Sequence, residues 1–124
     1  MRALIIDDSR FVRSYLRGLL RDKGFECDEA ADGQAALKLL HGESKFDLAL
    51  LDWNMPVMNG LETLQQIRAQ GFSHVRVLMV TTEAENAFIV RALEAGADEY
   101  LMKPFDHEAL DEKLAMLGLA GAGQ

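Results

Sequence analysis

Five times along this chain a short apolar run is followed by a segment whose apolar residues recur at helical spacing. A short apolar run bounded by polar residues reads as a strand buried on both faces, and both faces are buried only where helices cover both. A helical crossover returns the chain to the same end of the sheet, so strands linked in this way run parallel. The fold class that follows is α/β: a doubly wound, five-stranded parallel sheet with helices on both faces.

The segments can be placed one by one. Arg2 to Ile6 is the first strand. Ser9 caps a helix running to about Lys23, with Phe11, Val12, Tyr15, Leu16, Leu19 and Leu20 on its buried face, and Gly24 ends it. Phe25 to Ala30 is the second strand. Asp32-Gly33 opens a helix through Leu40, with Ala35, Ala36, Leu39 and Leu40 inward. Phe46 to Leu51 is the third strand. Asn59 caps a helix to about Ala69 that buries Leu61, Leu64 and Ile67. Val75 to Val80 is the fourth strand, followed by a helix from about Ala84 to Ala95 that Gly96 closes. Tyr100 to Met102 is a short fifth strand. Asp106 caps the last helix, which carries Leu110, Leu114 and Leu117. Residues 1–117 make one domain, and the Gly- and Ala-rich stretch 118–124 reads as a flexible tail or the start of a linker.

A chain of 124 residues fits one domain and can bury enough surface to fold without disulfides. The formal net charge of −7 argues against a nucleic-acid-binding surface over the whole domain. The single cysteine, Cys27, cannot form an internal disulfide; it reads as a small core residue, and the compartment as a reducing cytoplasm. No signal-peptide pattern or membrane-length apolar stretch is present, so no membrane insertion is expected.

The chemistry gathers at the strand ends. In open α/β sheets ligands bind beyond the carboxyl ends of the strands. Asp7 and Asp8 follow the first strand and Asp52 the third; Thr81 and Thr82 follow the fourth, and Lys103 the fifth. Taken singly, each has a plainer reading as a cap or turn residue. Together they put three carboxylates, a hydroxyl and an ammonium on one edge. Crowded carboxylates repel, and a hard divalent cation such as Mg²⁺, which takes oxygen ligands, relieves that repulsion. Asp7, Asp8 and Asp52 are the candidate ligands, joined by the backbone carbonyl of Asn54. A carboxylate held against Mg²⁺ can attack phosphorus, and Lys103 and Thr81 would meet the resulting negative charge.

These residues sit in motifs: Ile5-Ile6-Asp7-Asp8-Ser9, Leu51-Asp52-Trp53-Asn54-Met55-Pro56, Met58-Asn59-Gly60, Val80-Thr81-Thr82-Glu83, Gly96-Ala97-Asp98-Glu99-Tyr100 and Lys103-Pro104-Phe105. Over residues 2 to 117 the chain resembles the receiver domain of two-component response regulators, most nearly the stand-alone chemotaxis regulators. The resemblance implies a flavodoxin-like sheet of order 2-1-3-4-5. It implies that Asp52 accepts a phosphoryl group from a histidine kinase or phosphotransfer protein, with Mg²⁺ on Asp7, Asp8, Asp52 and the Asn54 carbonyl. Thr81 and Tyr100 become the switch pair, Lys103 the phosphate partner, and Asn54 and Glu83 the residues that set phosphoryl lifetime. A cis Lys103-Pro104 peptide is implied as well. The target would bind the face of the fourth helix, fifth strand and fifth helix, with the protein a monomer or a phosphorylation-dependent dimer. Such a protein is no enzyme beyond its own phosphoryl transfer and dephosphorylation.

The departures matter. Asn59 stands where receivers often have Asp, Thr82 where chemotaxis regulators have alanine, and Glu85 and Asn86 where those relatives carry lysines used at the flagellar motor. Two other readings stay open. One is a receiver cut from a longer regulator with a DNA-binding or enzymatic output. The other is an aspartyl-phosphate phosphohydrolase, which Asn54 disfavours because it stands where such enzymes carry a second, proton-donating Asp.

Arg10, Arg13, Arg17 and Arg21 form a basic stripe on the first helix, read as a solvated face or a docking surface for an acidic partner. His41, His74 and His107 lack ligand spacing and read as surface residues. Met79, Met102 and Met116 read as core. Phe88, Ile89, Ala92 and Tyr100 could form an exposed apolar patch.

Overall fold

The computed structural model describes residues 1–53, 55, 58–81, 86–103 and 105–119. The elements alternate strictly: β1 (Arg2–Ile6), α1 (Arg10–Arg21), β2 (Glu26–Ala30), α2 (Gly33–Leu40), β3 (Leu48–Asp52), α3 (Gly60–Ala69), β4 (Arg76–Thr81), α4 (Asn86–Glu94), β5 (Glu99–Met102) and α5 (His107–Met116). All four strand pairings are parallel, in the order β2-β1-β3-β4-β5. The predicted fold class holds. Strand ends move by one or two residues: Asp52 and Thr81 belong to β3 and β4 rather than following them.

Helix starts follow the side chains read as caps. The Ser9 hydroxyl accepts from the Val12 N–H, and Asp32 and Asp106 accept from the N–H groups of Ala35 and Ala109. Asn59 and Glu62 cap reciprocally, each side chain accepting from the other's backbone N–H. Gly24 and Gly96, past the ends of α1 and α4, take φ of 89° and 113°, values that suit glycine.

The two faces of the sheet carry separate cores. Ala3, Ile5, Leu48, Leu50, Leu78, Val80 and Leu101 pack with Leu16, Leu19 and Leu20 of α1 and Leu110 and Leu114 of α5. Leu4, Ile6, Ala49, Leu51, Val77 and Met79 pack with residues of α2, α3 and α4, Ala36, Leu64, Ile67 and Ala92 among them. Strand parity therefore fixes what each strand end presents. Asp52 shares the side of Leu48 and Leu50, whereas Thr81 and Tyr100 fall on the α4 side.

Four apolar residues do not lie where their spacing predicts. Phe11 is 82% exposed and Tyr15 49%. On α1 the stripe 12-16-20 faces the sheet, while the stripe 11-15-19 is buried only at Leu19. Tyr15 settles on the rim, its hydroxyl donating to the Phe105 carbonyl at 3.2 Å. Met102 ends the edge strand β5 and is 38% exposed, and Met116 lies on the side of α5 away from Leu110 and Leu114. Met79 is core, and the three histidines are exposed as expected. Cys27 is half-buried and free, packed at the margin of the α1/α5 core on edge strand β2. Among the described residues, no helix is long and apolar enough to cross a membrane.

Far from the carboxyl edge of the sheet, Arg68 closes the molecule. Its guanidinium donates to the carbonyls of Phe72 (2.6 Å), Val75 (2.8 Å) and Gly96 (3.0 Å) and to the Asp98 carboxylate (2.9 Å). The same Asp98 oxygen accepts the Val77 N–H at 2.8 Å. One side chain thus joins the end of α3, the start of β4, the end of α4 and the approach to β5.

Candidate functional site

The sheet reverses its winding between β1 and β3, where open α/β sheets leave a crevice. Ile6 pairs with Leu51, so the next residues, Asp7 and Asp52, emerge side by side. Asp7 is 2% exposed and Asp52 8%, while Asp8 is exposed. Carboxylate oxygens of all three lie within 4.8 Å of one another. Lys103, just past β5, places its Nζ 3.1 Å from Asp7 Oδ2 and 3.3 Å from Asp52 Oδ1. Of the six side chains that sequence position assigned to one edge, these four converge.

Local geometry explains how the acids are held. The Asp7 N–H donates to the Ala30 carbonyl at 3.1 Å, and Asp7 Oδ1 accepts the Ser9 N–H at 2.9 Å. Ser9 thus caps α1 and braces Asp7 together. On the other side, the Trp53 N–H donates to Val80 and the Trp53 carbonyl accepts from Gly60 at 2.9 Å. A Cβ at Gly60 would lie 2.5 Å from the Asp52 carbonyl oxygen and 2.8 Å from Trp53 Cα. Only a residue without a side chain lets α3 begin against the backbone of Asp52. The motif Met58-Asn59-Gly60 flagged this position, but the close approach that makes glycine necessary cannot be read from sequence.

The Asp52 carboxyl is pushed up to about 6. Burial is the main cause and the Asp7 charge the next; Lys103 opposes both, and Asp8 adds a smaller push upward. A raised carboxyl favours the folded protein in its protonated form. Its contribution is complete below about pH 4 and is lost as pH rises through about 6. With metal removed by a chelator, the Asp52→Asn protein is therefore expected to gain on the wild type as pH rises. The two should be similar near pH 4 and differ by about 3 kcal/mol above pH 7. Melting temperatures of both proteins from pH 4 to 8 check this; a gap that does not change with pH would contradict it.

The donor set suits a small hard cation. It offers carboxylate oxygens, with no sulfur or imidazole among the described residues of the cluster. The Asn54 carbonyl, proposed as a further ligand, lies outside the described residues. So do Thr82, Glu83, Glu85 and the Lys103-Pro104 peptide, as well as residues 120–124 of the tail.

Thr81 and Tyr100 come together on the α4 side. With Trp53, Met79, Phe88, Ile89 and Ala92 they line a cavity of about 10 Å³. The predicted exposed patch is instead this small crevice: Ala92 is buried, Phe88 and Ile89 are half-buried, and the Trp53 and Phe88 rings stack at 5.1 Å. Tyr100 is half-buried, with Lys113 Nζ 4.4 Å from its ring centre.

The arginine stripe divides. Arg10 and Arg21 are exposed. Arg13 and Arg17 turn back onto β2, both reaching Glu29. Neither the docking reading nor the solvated reading covers these two. Their partners could not be found from helical spacing, because Glu29 is assigned by the packing of α1 over β2.

The sequence matches the family described as "Response regulator receiver domain" over residues 3–115. It is 44% identical over 116 residues to the chemotaxis protein CheY of Pseudomonas aeruginosa, covering 92% of this chain and 93% of that protein. It is also 44% identical, over its whole length, to the transcriptional regulatory protein TctD of Salmonella typhimurium, of which it spans 54%. Among solved structures it resembles the response regulator protein TrrA of Thermotoga maritima in complex with Mg²⁺-BeF. That likeness has a TM-score of 0.81 at 32% identity, covering 94% of this chain and 97% of the other.

Proposed function

This chain belongs to the response regulator receiver family, and we propose that it is a phosphorylation-controlled binding module of a two-component system. The observation that carries the reading is the convergence of Asp7, Asp8, Asp52 and Lys103 at the switch point of the sheet. An Asp52 carboxylate oxygen attacks the phosphorus of a histidine kinase or phosphotransfer protein, and the bond from phosphorus to the donor nitrogen breaks. Asp7, Asp8 and Asp52, with the Asn54 carbonyl, would hold Mg²⁺. Once bound, the ion offsets the charge of the carboxylates and of the phosphoryl oxygens. Lys103 turns its ammonium from the two carboxylates to a phosphoryl oxygen, and Asn54 and Glu83 set how long the group survives.

The switch follows from the same site. The Thr81 hydroxyl moves to donate to the phosphoryl group, and space opens behind it. The crevice shared by Thr81 and Tyr100 is too small to take a phenol ring as it stands, so Tyr100 turns inward only when Thr81 gives way. The turn releases the ring from Lys113 and remodels the face of α4, β5 and α5, where a target binds. A charge-assisted hydrogen bond is worth about 1.5–3 kcal/mol, enough to shift a two-state population about ten- to a hundredfold. The likeness to CheY, and the combination of Trp53, Asn54 and Glu83, support a cytoplasmic chemotaxis or motility role. The likeness to TctD supports a second reading, a receiver that serves a transcriptional output.

Trp53 reports on the site directly, because its peptide joins it to Asp52. Titration with Mg²⁺ is expected to quench Trp53 fluorescence in a saturable way, and Asp8→Ala is expected to weaken that binding at least about tenfold. A flat titration, the same in both proteins, would remove the metal site and with it this mechanism.

A further inference from the structure

We propose that Arg13 is a positioning residue for the metal site: it pins the peptide between Asp7 and Asp8 and so aims the Asp8 carboxylate. The inference rests on the reading of the acid cluster as a Mg²⁺ site.

The three acids are not held alike. Asp7 is tied through its side chain to Ser9 and Lys103, and Asp52 to Lys103. Asp8 is exposed, and among the described residues its carboxylate has no hydrogen-bond or ion-pair partner. Its aim therefore depends on its backbone. The carbonyl of Asp7 and the N–H of Asp8 belong to one planar unit, so fixing one fixes the other. That carbonyl accepts from Arg13 Nη1 at 2.7 Å. The guanidinium is itself fixed, because Arg13 Nε donates to Glu29 Oε1 at 3.0 Å. A planar fork held at two points leaves the Asp7–Asp8 peptide little freedom to rotate.

The neighbouring turn of α1 supplies a control. Arg17 approaches the other oxygen of Glu29, Nε to Oε2 at 3.1 Å, as an ion pair without hydrogen-bond alignment. Its Nη2 donates to the Cys27 carbonyl at 2.7 Å. Arg17 therefore staples the same helix to the same strand through the same carboxylate, but touches nothing at the acid cluster. A role limited to joining α1 to β2 would be shared by both residues. A role in aiming Asp8 belongs to Arg13 alone.

The test is Mg²⁺ affinity, by Trp53 fluorescence and calorimetry, for the wild type, R13M and R17M, with a thermal melt of each. Both substitutions should lower the melting temperature. R13M is expected to weaken Mg²⁺ binding about tenfold, the usual scale for losing an outer partner of a metal ligand, and R17M to stay within about twofold of the wild type. R13M binding as tightly as wild type, or R17M losing as much as R13M, would overturn the proposal. Should R13M not fold, R13K replaces it. One ammonium cannot hold Glu29 and the Asp7 carbonyl together, so about threefold weaker binding is expected, and unchanged affinity would overturn the clamp. A wild-type protein that bound no Mg²⁺ would instead overturn the site itself, and the clamp with it.

Discussion

Asp52→Asn is expected to end covalent labelling by a small phosphodonor altogether. The carboxamide has nearly the volume of the carboxylate, so the packing at the end of β3 survives, but its oxygen is a far poorer nucleophile toward phosphorus. No other acid among the described residues is placed to take over. Asp7 is almost fully buried and has both oxygens engaged, one by the Ser9 N–H and one by Lys103. Asp8 belongs to the cluster but is exposed, and the Lys103 ammonium sits on Asp7 and Asp52 instead. Intact-mass measurement after incubation with the donor and Mg²⁺ should find up to one phosphoryl group per wild-type chain and none on the variant. The acyl phosphate on the wild type should be base-labile, as a mixed anhydride is. Label persisting on Asp52→Asn would move the acceptor elsewhere.

The second large effect concerns stability. Arg68→Met removes four hydrogen bonds at once: three to carbonyls that must then find water, and one to the Asp98 carboxylate. Asp98 keeps the Val77 N–H, with Arg76 at 3.7 Å, so its charge is not abandoned. Hydrogen bonds involving a charged group contribute about 1.5–3 kcal/mol each when buried, and the 20% exposure of Arg68 reduces that. A net loss of about 3 kcal/mol is expected, which lowers the melting temperature by roughly 10 °C. Arg68→Lys should recover less than half, since an ammonium cannot span Gly96, Phe72 and Val75 together. Chemical denaturation of the three proteins decides; Arg68→Met within about 1 kcal/mol of the wild type would show that water replaces the guanidinium readily.

The two residues also mark what was legible beforehand. Asp52 could be found because its signal is local: an apolar run that must be a strand, ending in an acid, in a fold whose ligands gather at strand ends. The caps Ser9, Asp32, Asn59 and Asp106 were legible for the same reason, as each acts within one turn of its own helix. The strand order rested on family resemblance, since alternation alone says that strands are parallel and not which are neighbours. Arg68 was silent, while Arg13 and Gly60 stood out only as members of a basic stripe and a motif, not for the contacts they make. Their partners sit on other elements, and no periodicity in the chain names them. Phe11, Tyr15, Met102 and Met116 misled in the opposite direction. Apolar character records that a residue can be buried, not that a neighbouring element extends far enough to bury it.

The wiring of the sheet has a last consequence, for how the chain reaches this structure. Arg2 finds Glu26, Ala3 finds Leu48, Leu48 finds Arg76 and Leu78 finds Glu99; no strand pairs through a tight turn. Every ladder closes a loop containing at least one whole helix, and the interior strand β1 is complete only once β3 has arrived. Loop-closure entropy must be met before any strand pair stabilises the chain, so folding is expected to be slower than that of a helical bundle of its size. The long crossovers that carry Asp7, Asp52 and Lys103 to one edge are the same ones that delay their meeting. A nascent chain released before β3 would hold a β1 whose second edge has no partner.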